Sequence, residues 1–300
     1  MHDSEITKDF RSGYASIIGR PNVGKSTLLN SILGEKIAIV TQKPQTTRNR
    51  VIGIKTLADA QIIFMDTPGI HRPKHRLGES MVRTATEALN EVDVILFMVE
   101  PHVPEPGDKT IIDLLKKVGS PVFLLINKID TIKKQELLPL IEHFRVVYEF
   151  DEILPISALK RDGIDLLMKK VRDYLPPGPK YYPDDLITDQ LERFMVSEIV
   201  REKIMEATEE ELPYSVAIEV TGWNEREDGL ISIGCNIYVE RDGQKAIIIG
   251  KRGAMLKSIG SAARIDIEKL LNKKVFLELW VKVRRNWRND IRLLKALGYK

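Results

Sequence analysis

Gly19-Arg-Pro-Asn-Val-Gly-Lys-Ser26 is the stretch on which the fold turns. It has the G-x-x-x-x-G-K-[ST] spacing, follows the apolar run Ala15 to Ile18, and opens an amphipathic segment carrying Leu28, Leu29 and Ile32. A strand, a glycine-bearing turn and a helix are therefore expected in succession. The glycines let the backbone curl so that its N–H groups converge on phosphate oxygens. Lys25 adds a cation for the β and γ phosphates, Ser26 a hydroxyl for Mg²⁺, and the helix N-terminus partial positive charge. The candidate phosphate-binding residues are Gly19, Arg20, Pro21, Asn22, Val23, Gly24, Lys25, Ser26 and Thr27.

Outward from this loop, β-branched runs alternate with longer amphipathic stretches: Val51 to Thr56, Gln61 to Met65, Val92 to Val99, Val122 to Ile126 and Ile153 to Ile156. That rhythm predicts βα units around a mainly parallel sheet, an α/β P-loop domain over residues 1–175. The unbroken apolar run Val94 to Val99 predicts a central strand covered on both faces. Four prolines between Pro176 and Pro183 forbid continuous helix or ladder, so residues 176–185 are read as a stiff linker. Over 186–300 the pattern becomes helix (186–209), strand (216–221), strand (230–240), helix (254–271), strand (275–283) and helix (287–297), a smaller α+β domain.

Two further segments refine the nucleotide. Asp66-Thr-Pro-Gly69 ends a predicted strand, placing Asp66 to hold Mg²⁺ through water and the Gly69 amide to meet the γ-phosphate. Asn127-Lys-Ile-Asp130 ends another. Guanine presents N1–H and an exocyclic amine side by side, which one carboxylate such as Asp130 accepts together, whereas adenine lacks that pair. GTP is thus preferred over ATP, against the rival of a metabolic enzyme or kinase built on the same loop. Asn127 and Lys128 belong to this site, and Ser157, Ala158 and Leu159 can add a backbone N–H to the guanine O6. Ile70 follows Gly69 where Ras-like proteins carry a water-orienting glutamine, and its side chain cannot hydrogen-bond water. Slow intrinsic hydrolysis is expected, no hydrolytic residue is assigned, and Arg48, Arg50, His71, Arg72 and His75 are read as solvated loop residues.

Charge is segregated along the chain. The 300 residues carry a formal net charge of only +3. Residues 180–240 hold 5 basic and 15 acidic residues, and residues 241–300 hold 16 basic and 5 acidic. The last sixty residues therefore read as a footprint for a polyanion. A single Cys235 excludes an internal disulfide, and no Cys/His cluster has zinc spacing. Apolar runs fall short of the roughly 20 residues that span a bilayer, and the start is charged (Asp3, Glu5, Lys8, Asp9), so neither a membrane span nor a signal peptide is expected and a cytoplasmic location fits.

Within the basic block, Ile247-Ile-Ile-Gly-Lys-Arg-Gly253 is read as a strand running into a G-x-x-G loop and then a helix. In that context it resembles the KH module of bacterial type, whose loop clamps about four single-stranded nucleotides. Candidate RNA-binding residues are Ile248 and Ile249 in or beneath the groove wall, then Gly250, Lys251, Arg252, Gly253 and Lys257. Lys282, Arg284, Arg285 and Arg288 extend the positive surface. Trp287 shares a helical face with Ile291 and Leu294 and is read as core rather than base platform.

The order and spacing of these segments are similar to the G motifs of translation-factor-class GTPases. Lys43-Pro-Gln-Thr-Thr-Arg-Asn49 resembles the first switch segment of the Era family of bacterial GTPases. In that family a threonine completes the Mg²⁺ shell when GTP is bound, which points to Thr47, with Thr46 as its rival. Ser26, Thr47 and Asp66 are then the candidate metal residues. The resemblance covers nearly the whole chain. It implies a Mg²⁺-dependent GTPase that binds small-subunit ribosomal RNA near its 3′ end and assists 30S subunit maturation, with peripheral contact at the inner membrane face. A monomer is expected. The alternative is a regulatory GTPase whose C-terminal domain docks on protein or membrane; charge reversal at Lys251 and Arg252 separates the two.

Overall fold

In the computed structural model, residues 10–90 and 92–299 are described; the charged residues before Phe10 lie outside them. The chain divides into two compact units. One contains the residues up to Ala38 together with Thr47–Arg72 and Met81–Asp189. The other contains Ile39–Thr46, Pro73–Ser80 and the chain from Gln190 onward.

The first unit is built on strands β1 (Arg11–Gly19), β2 (Val51–Thr56), β3 (Ala60–Asp66), β4 (Val94–Val99), β5 (Val122–Ile126) and β6 (Glu152–Pro155). Their order is β2-β3-β1-β4-β5-β6. Neighbours run parallel except β2 against β3, which a three-residue connection turns back antiparallel. Every residue of β3, β4 and β5 is buried, which accounts for the uninterrupted apolar character of β4 and β5 and of residues 62–65 in β3. Helices α1 (Lys25–Leu33), α2 (Arg76–Glu87, in this unit from Met81 onward), α3 (Pro106–Leu115), α4 (Lys134–Val147) and α5 (Ile164–Tyr174) complete the βα units. Chain order reverses across β1, between β3 and β4, so the loops after β1, β3 and β5 gather at one sheet edge, where open α/β sheets bind ligands.

The proline-rich stretch lies on this unit. Gly178 N donates to Phe10 O (3.0 Å) and Ile54 N to Ile187 O (2.8 Å). Gln61 is buried, and its amide oxygen accepts from the amides of Tyr181 (2.7 Å) and Tyr182 (2.9 Å) while its Nε2 donates to Tyr182 O (2.8 Å). A buried polar side chain here finds its partners in the chain that covers it.

The second unit comprises α6 (Glu192–Ala207), β7 (Ala217–Glu225), β8 (Ile231–Val239), α7 (Asp242–Ile249), α8 (Ala254–Leu271), β9 (Val275–Val283) and α9 (Ile291–Ala296). β7 and β8 pair antiparallel with a bulge near Gly222, and β9 joins parallel to β8 through the α7–α8 crossover. Val196, Val200 and Ile204 of α6 meet Ile233, Cys235 and Ile237 of β8 and Ile259, Ala263 and Ile267 of α8 in one core. Burial pushes the Cys235 thiol up to about 12.

Three sequence expectations change. Ile247 to Ile249 closes helix α7 rather than forming a strand. Gln244 accepts from the Glu240 amide (2.9 Å) and the Arg241 amide (3.1 Å), starting the helix, and only Ile248 turns fully into the core, so packing overrides the β-branched run. The helix expected from 186 begins at Glu192. The last helix is broken: a 3-10 turn at Trp287–Asn289 precedes α9, whose N-terminus Asp290 caps by accepting from the Arg292 and Leu293 amides. Trp287 is fully buried, donates to Ser215 O at 2.8 Å and stacks near Tyr299, so it belongs to the core and offers no face to a base.

Candidate nucleotide and RNA sites

The loop between β1 and α1 brings the predicted phosphate-binding residues together. Gly24 sits at φ 104°, and a β-carbon there would stand 2.3 Å from Asn127 Nδ2, so glycine is required for both conformation and space. Lys25 is buried and donates to the carbonyls of Gly19 (3.3 Å) and Arg20 (2.9 Å). Burial lowers its pKa to about 8, with the Asp66 charge partly opposing. The Arg20 side chain turns to the start of α3, pairing with Glu105 and lying 3.7 Å from Asp108.

Asp66, at the end of β3, is fully buried. Its Oδ2 accepts from Ser26 Oγ (2.6 Å) and Thr47 Oγ1 (3.3 Å), and those two hydroxyls are 2.8 Å apart. Its Oδ1 is buried without a hydrogen-bond partner. Desolvation raises the Asp66 pKa to about 6 despite the opposing pull of Lys25. Two hydroxyls and a carboxylate with a spare buried oxygen are hard oxygen donors suited to Mg²⁺. Among the described residues no group of three or more His, Cys, Asp and Glu is placed to hold a metal ion. Thr46 points elsewhere: its hydroxyl meets Lys43 O (2.6 Å) and Thr41 Oγ1 (2.8 Å).

The loops after β5 and β6 form the other wall. Asn127 is a staple, its Nδ2 donating to Val23 O (2.7 Å) and its Oδ1 accepting from Ala158 N (2.9 Å). Lys128, at φ 62°, donates to Asn22 O (3.0 Å) and pairs with Glu100. Asp130 is exposed and accepts from Ser157 Oγ at 2.6 Å, which orients the carboxylate. Leu159 is 72% exposed, whereas Ser157 and Ala158 are buried.

Gly69 packs against the phosphate loop so closely that a β-carbon would lie 2.6 Å from Pro21 N. Ile70 donates its amide to Gly19 O (3.1 Å) and is only 6% exposed, buried in the sheet's core. Its side chain is therefore occupied in packing as well as unable to orient water. Arg48, expected as a solvated loop residue, is 2% exposed and thus part of the interior. Arg50 and Arg72 are exposed, as expected for loop residues.

In the second unit the Gly250-Lys-Arg-Gly253 loop joins α7 to α8. Gly250 (φ 69°), Arg252 (φ 52°) and Gly253 (φ 80°) all lie at positive φ, bending the chain sharply enough to project Lys251 and Arg252 into solvent. Ile248 is fully buried and supports the loop from beneath, so it cannot itself touch a ligand; Ile249 is half-buried. Lys257, Lys282, Arg284 and Arg285 are exposed, while Arg288 is half-buried and paired with Glu240 at 2.5 Å. An open groove of about 460 Å³ runs along α8 and β9, with Gly253, Leu256, Lys257, Gly260, Phe276 and Leu279 in its lining. Phe276 and Leu279 escaped the sequence reading. Phe276 is exposed and Leu279 half-buried on opposite parities of β9, so no spacing along the strand marked the pair.

Comparison with known proteins follows this division. Residues 14–128 match the 50S ribosome-binding GTPase family model and residues 211–288 the KH domain model. GTPase Era of Ruminiclostridium cellulolyticum is 54% identical over 293 residues, covering 97% of this chain and 98% of that protein. GTPase Era of Geobacter metallireducens is 58% identical over the same span and shares. A crystal structure of Era in complex with MgGDPNP and nucleotides 1506–1542 of 16S ribosomal RNA superposes with a TM-score of 0.94 at 45% identity, covering 97% of this chain and 99% of that one. A variant of Aquifex aeolicus Era bound to GDP·AlF4⁻ gives the same TM-score and coverage at 44% identity. With identity of this level carried across both units, the chain belongs to the Era family of GTPases.

Proposed function

We propose that this protein is a Mg²⁺-dependent GTPase that couples its nucleotide state to binding of single-stranded RNA at the 3′ end of small-subunit ribosomal RNA, and so assists 30S assembly. The observation that carries the nucleotide half is the convergence of Ser26, Thr47 and Asp66 beside Lys25. The RNA half is supported by the Gly250–Gly253 loop above an open groove in the basic block, and by the 16S RNA held by a relative 45% identical.

The reaction is hydrolysis of GTP to GDP and phosphate. Residues Gly19 to Thr27 would enclose the α and β phosphates, with Lys25 countering charge toward the γ-phosphate. Ser26, Thr47 and Asp66 would hold Mg²⁺, which when bound neutralises charge across the β and γ oxygens. The Gly69 amide faces the γ-phosphate, and Asp130, held by Ser157, accepts from the guanine edge. Asn127 and Lys128 brace the phosphate loop against the base-binding loops, with Ala158 and Leu159 supplying backbone near the guanine O6. With Ile70 committed to the core, no side chain at that position places the attacking water, and turnover by the isolated protein is slow.

On the RNA side, the Gly250 and Gly253 turns bring the backbone close to the strand, and Lys251, Arg252, Lys257, Lys282, Arg284, Arg285 and Arg288 meet phosphates around the groove along α8 and β9, with Ile248 buried and Ile249 half-buried in the helix that leads into the loop. We assign the GTPase domain to 1–175, the linker to 176–185 and the RNA-binding module to 186–300. We read the protein as a cytoplasmic monomer with peripheral contact at the inner membrane face; among the described residues no helix is long and apolar enough to cross a membrane. The test is GTP hydrolysis by the full chain with Mg²⁺, with and without a single-stranded RNA matching the 3′ end of 16S ribosomal RNA. RNA-dependent stimulation that disappears when Lys251 and Arg252 are reversed supports the proposal. RNA-indifferent turnover without a measurable complex transfers the second domain to a protein or membrane partner.

A further inference from the structure

Strand β2 is an outer edge of the six-stranded sheet, paired with β3 on one side. Its other side carries amides and carbonyls that no ladder fills, and proteins cover such rows. Here the cover is the chain after α5, which belongs as far as Asp189 to the same compact unit as the sheet. It starts across the first residues of β1, where Ser12 N donates to Pro176 O (3.2 Å) and Gly178 N to Phe10 O (3.0 Å). The Tyr181 ring then stacks on Tyr14, with centroids 5.6 Å apart. At its end Ile54 N donates to Ile187 O (2.8 Å) and Thr188 Oγ1 to Ile52 O (2.6 Å), so the segment runs back along β2 toward that strand's first residue.

Gln61 fixes the middle. It is fully buried at the start of β3. Its Oε1 accepts from the Tyr181 and Tyr182 amides, and its Nε2 donates to Tyr182 O and to Thr56 Oγ1 (3.0 Å). Those bonds fill the two donor and two acceptor positions of a primary amide. Thr56 ends β2 and stands opposite Gln61 in the ladder, so one side chain ties the covering segment to both strands.

The pairing so held bears on the metal site. Val51 stands opposite Asp66. Thr47 precedes Val51 by four residues, and its hydroxyl lies 3.3 Å from Asp66 Oδ2 and 2.8 Å from Ser26 Oγ. A slip of β2 by one residue would reverse its faces, and a slip by two would carry Val51 about 7 Å along β3. Either takes the Thr47 hydroxyl away from the pair. Ladder bonds are alike in any register, whereas the bonds of Gln61 to Thr56 and of Thr188 to Ile52 exist in one.

We propose that residues 176–189 are a strap that holds β2 in register with β3, and that Thr188 and Gln61 are positioning residues through which it presents the Thr47 hydroxyl to Ser26 and Asp66. The metal half of this rests on the GTPase reading above; the pinning of β2 does not.

The test compares Thr188→Val and Gln61→Met with the unaltered full chain and with Ile111→Val, a core truncation on α3 of similar cost to stability. Exchange of the Ile54 amide is followed in nucleotide-free protein, GTP hydrolysis across a Mg²⁺ titration, and GDP affinity in EDTA. An edge amide exchanges through local opening. In Thr188→Val the Ile54 amide is therefore expected to exchange about 2- to 10-fold faster, the effect of one net hydrogen bond. The Mg²⁺ concentration for half-maximal turnover rises by a similar factor, while GDP affinity in EDTA is unchanged. Thr188→Ser, which keeps the hydroxyl, restores both readings, and Ile111→Val moves neither. A strap that merely adds stability would make Thr188→Val and Ile111→Val behave alike, and that result overturns the proposal, as does an unaltered Mg²⁺ midpoint in Thr188→Val. Should Gln61→Met fail to fold, Thr188→Val decides alone, because it replaces a half-buried side chain by one of the same shape. An unaltered protein that hydrolyses no GTP refutes the proposed function itself, and the Ile54 exchange rate then decides the strap.

Discussion

Replacing Asn127 by alanine should uncouple the phosphate loop from the base-binding loops. The side chain makes two buried bonds, to Val23 O at 2.7 Å and from Ala158 N at 2.9 Å, and it stands over Gly24. Truncation leaves one acceptor and one donor unpaired. At about 1–3 kcal/mol for each buried unsatisfied group, the loss is about 2–6 kcal/mol, the lower end applying where water enters. For a unit of this size that corresponds to a fall in Tm of about 4–8 °C at the lower end, since 1 kcal/mol shifts such domains by about 2–4 °C. The same loops must be held apart correctly to receive nucleotide, so about 2 kcal/mol lost from the preorganised site weakens GDP by about 30-fold. Calorimetry of the nucleotide-free chain and fluorescence titration with a labelled GDP read the two effects. Asn127→Asp sharpens the test: its carboxylate still accepts from Ala158 N but turns an acceptor toward Val23 O, so it should be no better than alanine. A drop in Tm under 1 °C with wild-type GDP affinity, or an aspartate variant that behaves normally, would refute the staple.

Affinity for Mg·GDP should be bell-shaped in pH. Burial holds Lys25 at about 8, below its ordinary 10.5, and Asp66 at about 6, above its ordinary 3.8, so each charged form is disfavoured in the free protein. The complex needs both charges, so affinity peaks between pH 6 and 8 and falls about tenfold per unit beyond either edge, with proton uptake above 8 and release below 6, measurable by calorimetry in buffers of different ionisation enthalpy. Lys25→Arg should abolish the alkaline limb and Asp66→Asn the acid limb attributable to that carboxyl; limbs that survive belong to other groups. Reversing Lys251 and Arg252 together to glutamate should abolish RNA binding at moderate salt, whereas neutral substitutions should lower the salt dependence by about two counterions, read from filter binding at several salt concentrations. Trp287→Ala empties a site filled by a fully buried indole and should destabilise the second unit by about 3–5 kcal/mol, seen as the loss of one calorimetric transition while GTP binding persists.

Much of the first unit could be read from the chain because its signals are local. The β4 run Val94 to Val99 and the glycine spacing of residues 19–26 each specify their own conformation, and Asp66 and Asn127 stand at strand ends where the topology must deliver them. What escaped depends on partners far along the chain. Arg48 looks like any loop arginine until the fold closes over it. The Ile247–Ile249 run has the composition of a strand, and only the packing of Ile248 under the loop and the Gln244 hydrogen bonds make it helical. Likewise Thr46 and Thr47 are chemically the same; the structure separates them because one hydroxyl closes a local turn with Lys43 and Thr41 while the other reaches Asp66. Within the second unit, the bonds from Val40 N to Glu202 and from Arg201 to Thr46 O join residues more than 150 positions apart, a distance at which sequence pattern carries no signal.

The sole cysteine makes the molecule its own instrument. Cys235 lies in the middle of β8 with no exposure, and its thiol is held at about 12, so at neutral pH it is neither accessible nor ionised. Thiol reagents should therefore ignore the native protein and label it only when the second unit opens. A single cysteine introduced at Lys251 or at Lys43 could accordingly carry a fluorophore with no background from the native thiol, and the labelling rate of Cys235 itself would time the unfolding of the RNA-binding unit separately from the nucleotide-binding one.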